Sequence, residues 1–399
     1  MKKLQHDLQI KFGSEYGEEE KAAVLRVLSE GAPTSGDGVV RFGEDFAAYC
    51  GTSYGRAVSN GTAALFLTLK AAGVGEKSRV LTTPLTWIAS ASAASTLGAD
   101  VDFVDIDPVT YNMDPVKLKE KADAGKVDAV VPVHLYGQCC DMDPIMALSE
   151  QLKFAVIEDA CHAIGAEYKG RKAGSMGTAG CFSFHEQKNM STLGEGGMVV
   201  TNSAEIFETA WLYHSHCTRV YGKSTKYLSL DEKKFPKGKK FWFQDFDDTG
   251  YNFRMTEIQG AVGIEQLKKV DALNERRIHN AAYLSEALAG IPGIKTPVTA
   301  PGRKHVFHLY PIEIDAKAYG VDRTDFIFRM LDEYGIKVGT HYTPVHLSTA
   351  FRNRGFKEGN FPIAEDVMTR LVTLPINPRQ TREALGYLVE SIKDLHTKA

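Results

Sequence analysis

From about residue 50 to residue 260, short apolar runs alternate with segments of helical period, a pattern that favours a mostly parallel sheet with helices on both faces. The runs Arg79 to Thr82, Val101 to Asp105, Ala129 to Leu135, Phe154 to Ile157, Gly180 to Phe184 and Gly197 to Thr201 are read as its strands. In such sheets ligands collect at the carboxyl ends of the strands. At 399 residues the chain exceeds the size at which a single core keeps growing, so a second, smaller part is expected. From about Met255 the pattern becomes one long helix, followed by Pro292, Pro297 and Pro301 and then by strand, helix and strand. This predicts a large domain over residues 1–262 and a small C-terminal α+β domain over residues 263–399.

The stretch from Val156 to Asn202 places an acid, a hydroxyl and a lysine at successive strand ends. Phe154 to Ile157 reads as a buried parallel strand that delivers Glu158 and Asp159 at its end. A carboxylate there can pair with a protonated pyridine nitrogen. The next run carries Ser183 and leads to Lys188, whose amine, once desolvated, can form a Schiff base with an aldehyde cofactor. Gly194, Gly196 and Gly197 then allow close approach of backbone to a ligand. Taken singly, a lysine is more often a solvated surface charge and a strand-end Asp a helix cap. Ser59 to Thr62 precede the apolar helix AALFLTLKAAG, where unpaired N–H groups and a positive dipole end suit either a phosphate or a simple cap.

A net charge of −3 argues against a chain built to coat nucleic acid or an anionic membrane. The start, MKKLQHDLQIKFG, lacks the apolar core of a signal peptide, and no run approaches the roughly 20 apolar residues that span a bilayer, so a cytoplasmic location is expected. The six cysteines show neither a CxxC pair nor a His partner at metal spacing and are read as core thiols, with no metal site.

Seven blocks in order resemble the DegT/StrS family of pyridoxal phosphate (PLP) dependent sugar aminotransferases, of fold type I. They are SNGTAAL (Ser59 to Leu65), PLTWIAS (Pro84 to Ser90), VDIDPVTYNMDP (Val104 to Pro115), VPVHLYGQ (Val131 to Gln138), IEDACHAIGA (Ile157 to Ala166), FSFHEQKNMSTLGEGG (Phe182 to Gly197) and GYNFRMTEIQGA (Gly250 to Ala261). The resemblance implies that Lys188 holds PLP and transfers protons, that Asp159 pairs with the ring nitrogen, and that Gly61, Thr62 and Ser183 bind the phosphate. It further implies that Trp87 stacks on the ring, that His162 meets the phenolic oxygen, and that Asn252 reaches the phosphate of a neighbouring subunit in a homodimer. The implied reaction moves an amino group from L-glutamate or L-glutamine to a keto sugar, above all a nucleotide-linked 4-keto-6-deoxyhexose.

KHVFHLYPI (Lys304 to Ile312) and GIKVGTHYTPVHL (Gly335 to Leu347) resemble blocks that border the sugar pocket, which makes His341, Tyr342 and His346 the candidate substrate contacts. An ordinary strand with ordinary histidines is an equal reading of these blocks. The basic segment KKFPKGKKFWF (Lys233 to Phe243) is read as a solvated loop, with a clamp on a sugar diphosphate as its second reading. The same sequence leaves room for a same-fold enzyme acting on a cyclitol ketone or 3-keto sugar. A sugar dehydratase fits less well, because in that branch a His replaces the lysine kept here, and so does a regulatory protein, for which no separate helix-turn-helix is seen.

Overall fold

The computed structural model describes residues 4–398 apart from 6–7, 9–12, 32, 35 and 221–243, so the basic segment from Lys233 to Phe243 lies outside the described residues. Seven strands form the central sheet: β1 (Tyr54–Val58), β2 (Arg79–Thr82), β3 (Asp100–Phe103), β4 (Ala129–Val131), β5 (Ala155–Asp159), β6 (Ala179–Ser183) and β7 (Gly197–Thr201). Their order across the sheet is β1-β7-β6-β5-β4-β2-β3. Neighbours from β6 through β3 pair in parallel. β7 runs antiparallel to both β6 and β1.

Side chains alternate across this sheet with period two. Val80, Val131, Ile157, Cys181 and Val199 join one apolar cluster. Leu81, Val130, Val156, Phe182 and Val200 join another on the opposite face. Asp159 falls in register with Ile157, and Ser183 with Cys181, so both strand-end polar groups share the first face. The helix Gly61–Ala71 packs there; it is buried on almost every side and is capped by the Asn60 side chain, which accepts from the Ala63 N–H at 2.8 Å. On the second face the Phe46 ring meets Phe182 and Phe184 at 4.9 and 5.2 Å.

Three departures from the sequence reading have physical causes. The Gly197 to Thr201 strand is antiparallel, because the loop 184–196 folds the chain back directly beside β6 where a helical crossover would have kept it parallel. The Ala129 to Leu135 strand stops at Val131, since Leu135–Gly137 closes into a 3₁₀ turn. The long helix is two, Glu257–Leu267 and Val270–Leu288, broken at Lys268 and Lys269. β1 also joins the sheet, an addition to the six strands expected from the sequence.

Toward the C-terminus β8 (Ile294–Lys295), β9 (Tyr310–Ile314) and β10 (Leu371–Leu374) make an antiparallel sheet. Its own apolar cluster contains Ile312, Phe326, Met330, Leu388 and Ile392. The same part of the chain also reaches the central sheet: Val345, Phe351 and Phe361 pack in the cluster of Phe103. Among the described residues no helix is long and apolar enough to cross a membrane.

Candidate active site

The ends of five strands, β1, β2, β4, β5 and β6, and the segments that follow them build one cavity of about 840 Å³. Gly61, Thr62, Trp87, Asp159, His162, Ser183, Lys188, His341 and Tyr342 all line it. The sequence scatters these residues from Gly61 to Tyr342, and the sheet gathers them.

Asp159 is buried and held at both oxygens. Ser90 donates its hydroxyl to Oδ2 at 2.7 Å, and the Cys161 backbone N–H donates to Oδ1 at 3.1 Å. Thr86 in turn lies 3.0 Å from the Ser90 hydroxyl. Lys188 follows β6 on a turn closed by its own N–H to the His185 carbonyl at 2.9 Å. Burial lowers the proton affinity of its amine, against the opposing pull of Cys161, Asp159 and Glu195.

Gly61 and Thr62 occupy the first turn of their helix, where N–H groups have no partner within the helix. A β-carbon at Gly61 would stand 2.8 Å from the Ser183 β-carbon, so only glycine lets the helix end sit this close to β6. The Ser183 oxygen accepts from the His185 N–H at 3.4 Å, which leaves its own proton to be given elsewhere.

His162 is buried, with Nε2 3.3 Å from the Tyr342 hydroxyl. Its Nδ1 has no partner among the described residues. Desolvation holds the ring well below the usual histidine range, and the nearby Lys188 charge acts in the same direction. Trp87 is 61 % exposed, with its ring 6.0 Å from that of Tyr342. His341 sets Nδ1 2.6 Å from the Thr373 hydroxyl.

Two expected site residues are not in this cavity. His346 is fully buried: its Nε2 lies 2.9 Å from Glu365, and its ring packs edge-on to Phe361 at 4.7 Å. Its Nε2 is thus engaged in the interior, and the ring does not line the cavity where a substrate contact was expected. Asn252 is exposed, because extended backbone sends Tyr251 and Phe253 to the cavity and Asn252 to the other side. Sequence reasoning also missed Ser90, Cys161 and Phe253. Ser90 lay inside a quoted block, but nothing local marks a serine as the partner of an acid 69 residues away.

The residues present fit PLP. A helix N-terminus and a free hydroxyl suit its phosphate, a fixed carboxylate suits its ring nitrogen, and the orphaned His162 Nδ1 suits a further polar group.

The chain matches the DegT/DnrJ/EryC1/StrS aminotransferase family over residues 14–393. It is 37% identical over 384 residues to the spore coat polysaccharide biosynthesis protein SpsC of Bacillus subtilis, covering 95% of each chain. It is 35% identical over 377 residues to the dTDP-3-amino-3,4,6-trideoxy-alpha-D-glucose transaminase of Streptomyces venezuelae, covering 94% of this chain and 92% of that one. The crystal structure of S. venezuelae DesV in complex with a ketimine intermediate superposes with a TM-score of 0.84 at 33% identity, over 96% of this chain and 95% of that one. Sequence, fold and cavity therefore agree, and the chain belongs to the DegT/DnrJ/EryC1/StrS family as a PLP-dependent sugar aminotransferase.

Proposed function

We propose that the chain transfers an amino group from L-glutamate or L-glutamine to a nucleotide-linked 4-keto-6-deoxyhexose, acting as a homodimer. The observation that carries this reading is the convergence of Lys188, Asp159, Ser183 and the Gly61–Thr62 turn on one cavity that Trp87, His341 and Tyr342 also line. The dTDP-sugar transaminase among the relatives supports a nucleotide-linked acceptor. The spore coat relative supports a product used in surface polysaccharide.

When bound, PLP supplies the electron sink that lets nitrogen leave one carbon and join another. The chain does the rest. Gly61 and Thr62 N–H groups and the Ser183 hydroxyl bind the phosphate, with Asn252 of a second copy completing that end. The Asp159 carboxylate, fixed by Ser90 and the Cys161 N–H, holds a proton on the ring nitrogen. Lys188 Nζ anchors the cofactor and then takes up and returns the proton that moves during transfer, a task suited to an amine of lowered pKa. Trp87 covers the ring, while His341 and Tyr342 orient sugar hydroxyls. In this reading residues 1–262 carry the cofactor and residues 263–399 form the smaller domain.

The test is the visible spectrum of the purified enzyme before and after L-glutamate or L-glutamine, with Lys188→Ala alongside, followed by addition of a 4-keto-6-deoxy nucleotide sugar. The donor should discharge the cofactor band, the keto sugar should restore it, and Lys188→Ala should lack it. A band retained in Lys188→Ala makes another lysine the anchor. Discharge without turnover of any such sugar transfers the assignment to another ketone.

A further inference from the structure

Lys188 is gripped through its backbone from two sides. On one side lies Gly13, whose N–H donates to the Glu186 carbonyl at 2.9 Å and whose carbonyl accepts from the buried Arg277 guanidinium at 3.2 Å. A β-carbon at Gly13 would fall 1.7 Å from the Lys188 carbonyl oxygen, so the two backbones touch with nothing between them.

On the other side is Asn189, 2 % exposed. Its Nδ2 donates to the Asn274 Oδ1 at 2.8 Å and to the Val306 carbonyl at 3.0 Å. The Val306 carbonyl can only accept, which fixes the orientation of the carboxamide. Asn189 Oδ1 must then accept, and His308 Nδ1, 3.2 Å away, must carry the proton. The His308 ring lies 4.3 Å from that of His162. Asn274 continues the chain of bonds by donating to the Ile164 carbonyl at 2.9 Å, in the turn that follows Asp159. Gly165 (φ +81°) leaves room for that contact, since a β-carbon there would be 2.6 Å from the Asn274 nitrogen.

We propose that Asn189 is a positioning residue for Lys188: its carboxamide ties the lysine backbone to the segment that carries Asp159 and His162, and so sets the spacing between amine and acid across the cavity. The inference rests on Lys188 being the lysine that holds the cofactor. The carboxamide suits the task because two donors and an acceptor are all engaged in a buried place. Lys188 senses charge from Asp159, Cys161 and Glu195. His162, His308 and His341 feel the charge of Lys188 in return. A backbone shift at Lys188 therefore changes both its reach and its proton affinity.

The experiment compares the holoenzyme with Asn189→Ala, Gly13→Ala, Lys188→Ala and Tyr319→Phe. Tyr319→Phe removes a buried bond to the Ile392 carbonyl (2.7 Å) in the C-terminal cluster and reports loss of stability alone. The readouts are melting temperature, the pH midpoint of the bound cofactor's visible band, and kcat and KM for the donor. Asn189→Ala should move the midpoint by about half a pH unit or more. It should lower kcat by about tenfold to a hundredfold, the scale of a misplacement near an ångström. Donor KM should change by less than about threefold. Gly13→Ala should also move the midpoint, and Tyr319→Phe should move only the melting temperature. An Asn189→Ala enzyme with the parent's midpoint and kcat overturns the proposal. If that variant does not fold, an unmoved midpoint in Gly13→Ala overturns it instead. A band retained in Lys188→Ala sinks the lysine assignment itself, whereas a band lost there with Asn189→Ala unchanged sinks the positioning role alone.

Discussion

Two carboxylates stand side by side at the end of β5, and the pleat sends them to opposite faces of the sheet. Glu158 is fully buried and fully engaged. Its Oε1 accepts from the Met176 and Gly177 N–H groups at 2.6 Å each, and its Oε2 from Gly174 N–H and His134 Nε2 at 2.8 Å each. Asp159 faces the cavity with one hydroxyl and one N–H on it, which leaves room for a further donor. The same chemical group is thus a hub for a loop on one face and a candidate partner for a cofactor on the other. The number and kind of fixed donors decide which.

Asp159→Asn and Glu158→Ala break this comparison most sharply. Asp159→Asn should lower kcat by about a hundredfold to a thousandfold, the scale of losing a preorganised charge at the reacting group. Its melting temperature should stay close to that of the parent. Glu158→Ala strands three backbone donors and His134, and should lower stability by about 3–5 kcal/mol in denaturant unfolding. Its kcat per folded enzyme should change little. If both variants lose activity only in proportion to their lost stability, the two faces do the same job and the distinction fails.

Ser90→Ala tests how Asp159 is aimed, with a smaller expected effect. The hydroxyl donates to a buried carboxylate, a bond to a charged group worth about 1.5–3 kcal/mol. The Cys161 N–H remains, so kcat should fall by about tenfold, near the low end of that range. Ser90→Thr, which keeps the hydroxyl, should recover most of it. A Ser90→Ala enzyme as fast as the parent would mean that the Cys161 N–H alone orients the acid.

The contrast also explains what the sequence could and could not reveal. That Asp159, Ser183 and Lys188 would meet was legible, because an acid, a hydroxyl and a lysine follow short apolar runs and strand ends of one parallel sheet share an edge. Which of Glu158 and Asp159 faces the cavity was settled by resemblance, since a five-residue strand buried on both faces carries no alternation to read. The direction of β7 was not legible, because an apolar run has no polarity of its own. His346 falls outside the cavity for a related reason. It lies four positions after Tyr342, inside the 3₁₀ turn Val345–Leu347, which directs it into the interior toward Glu365. Ser90 and Asn189 escaped notice because their partners lie far along the chain and only the folded sheet brings them near.

The smallest effect concerns how dry the cavity is. His341 lines it, and burial, reinforced by the Lys188 charge, pushes its pKa down to about 4. The unfolded chain has an ordinary histidine there, near pH 6.5. Between about pH 6.5 and 4 the unfolded state therefore takes up a proton that the folded state refuses, and stability rises with pH across that window. The contribution is whole above about pH 6.5 and is lost as pH falls toward 4. His341→Gln removes that titration, and the stability curve should flatten across the window by about 1 kcal/mol in all, less than the full shift would give because the side chain is partly exposed. Urea unfolding at a series of pH values measures it. An unchanged slope would show that His341 protonates freely in the folded protein. The cavity around His341 would then be wet, and the depressed proton affinity assigned to Lys188 would lose its physical cause.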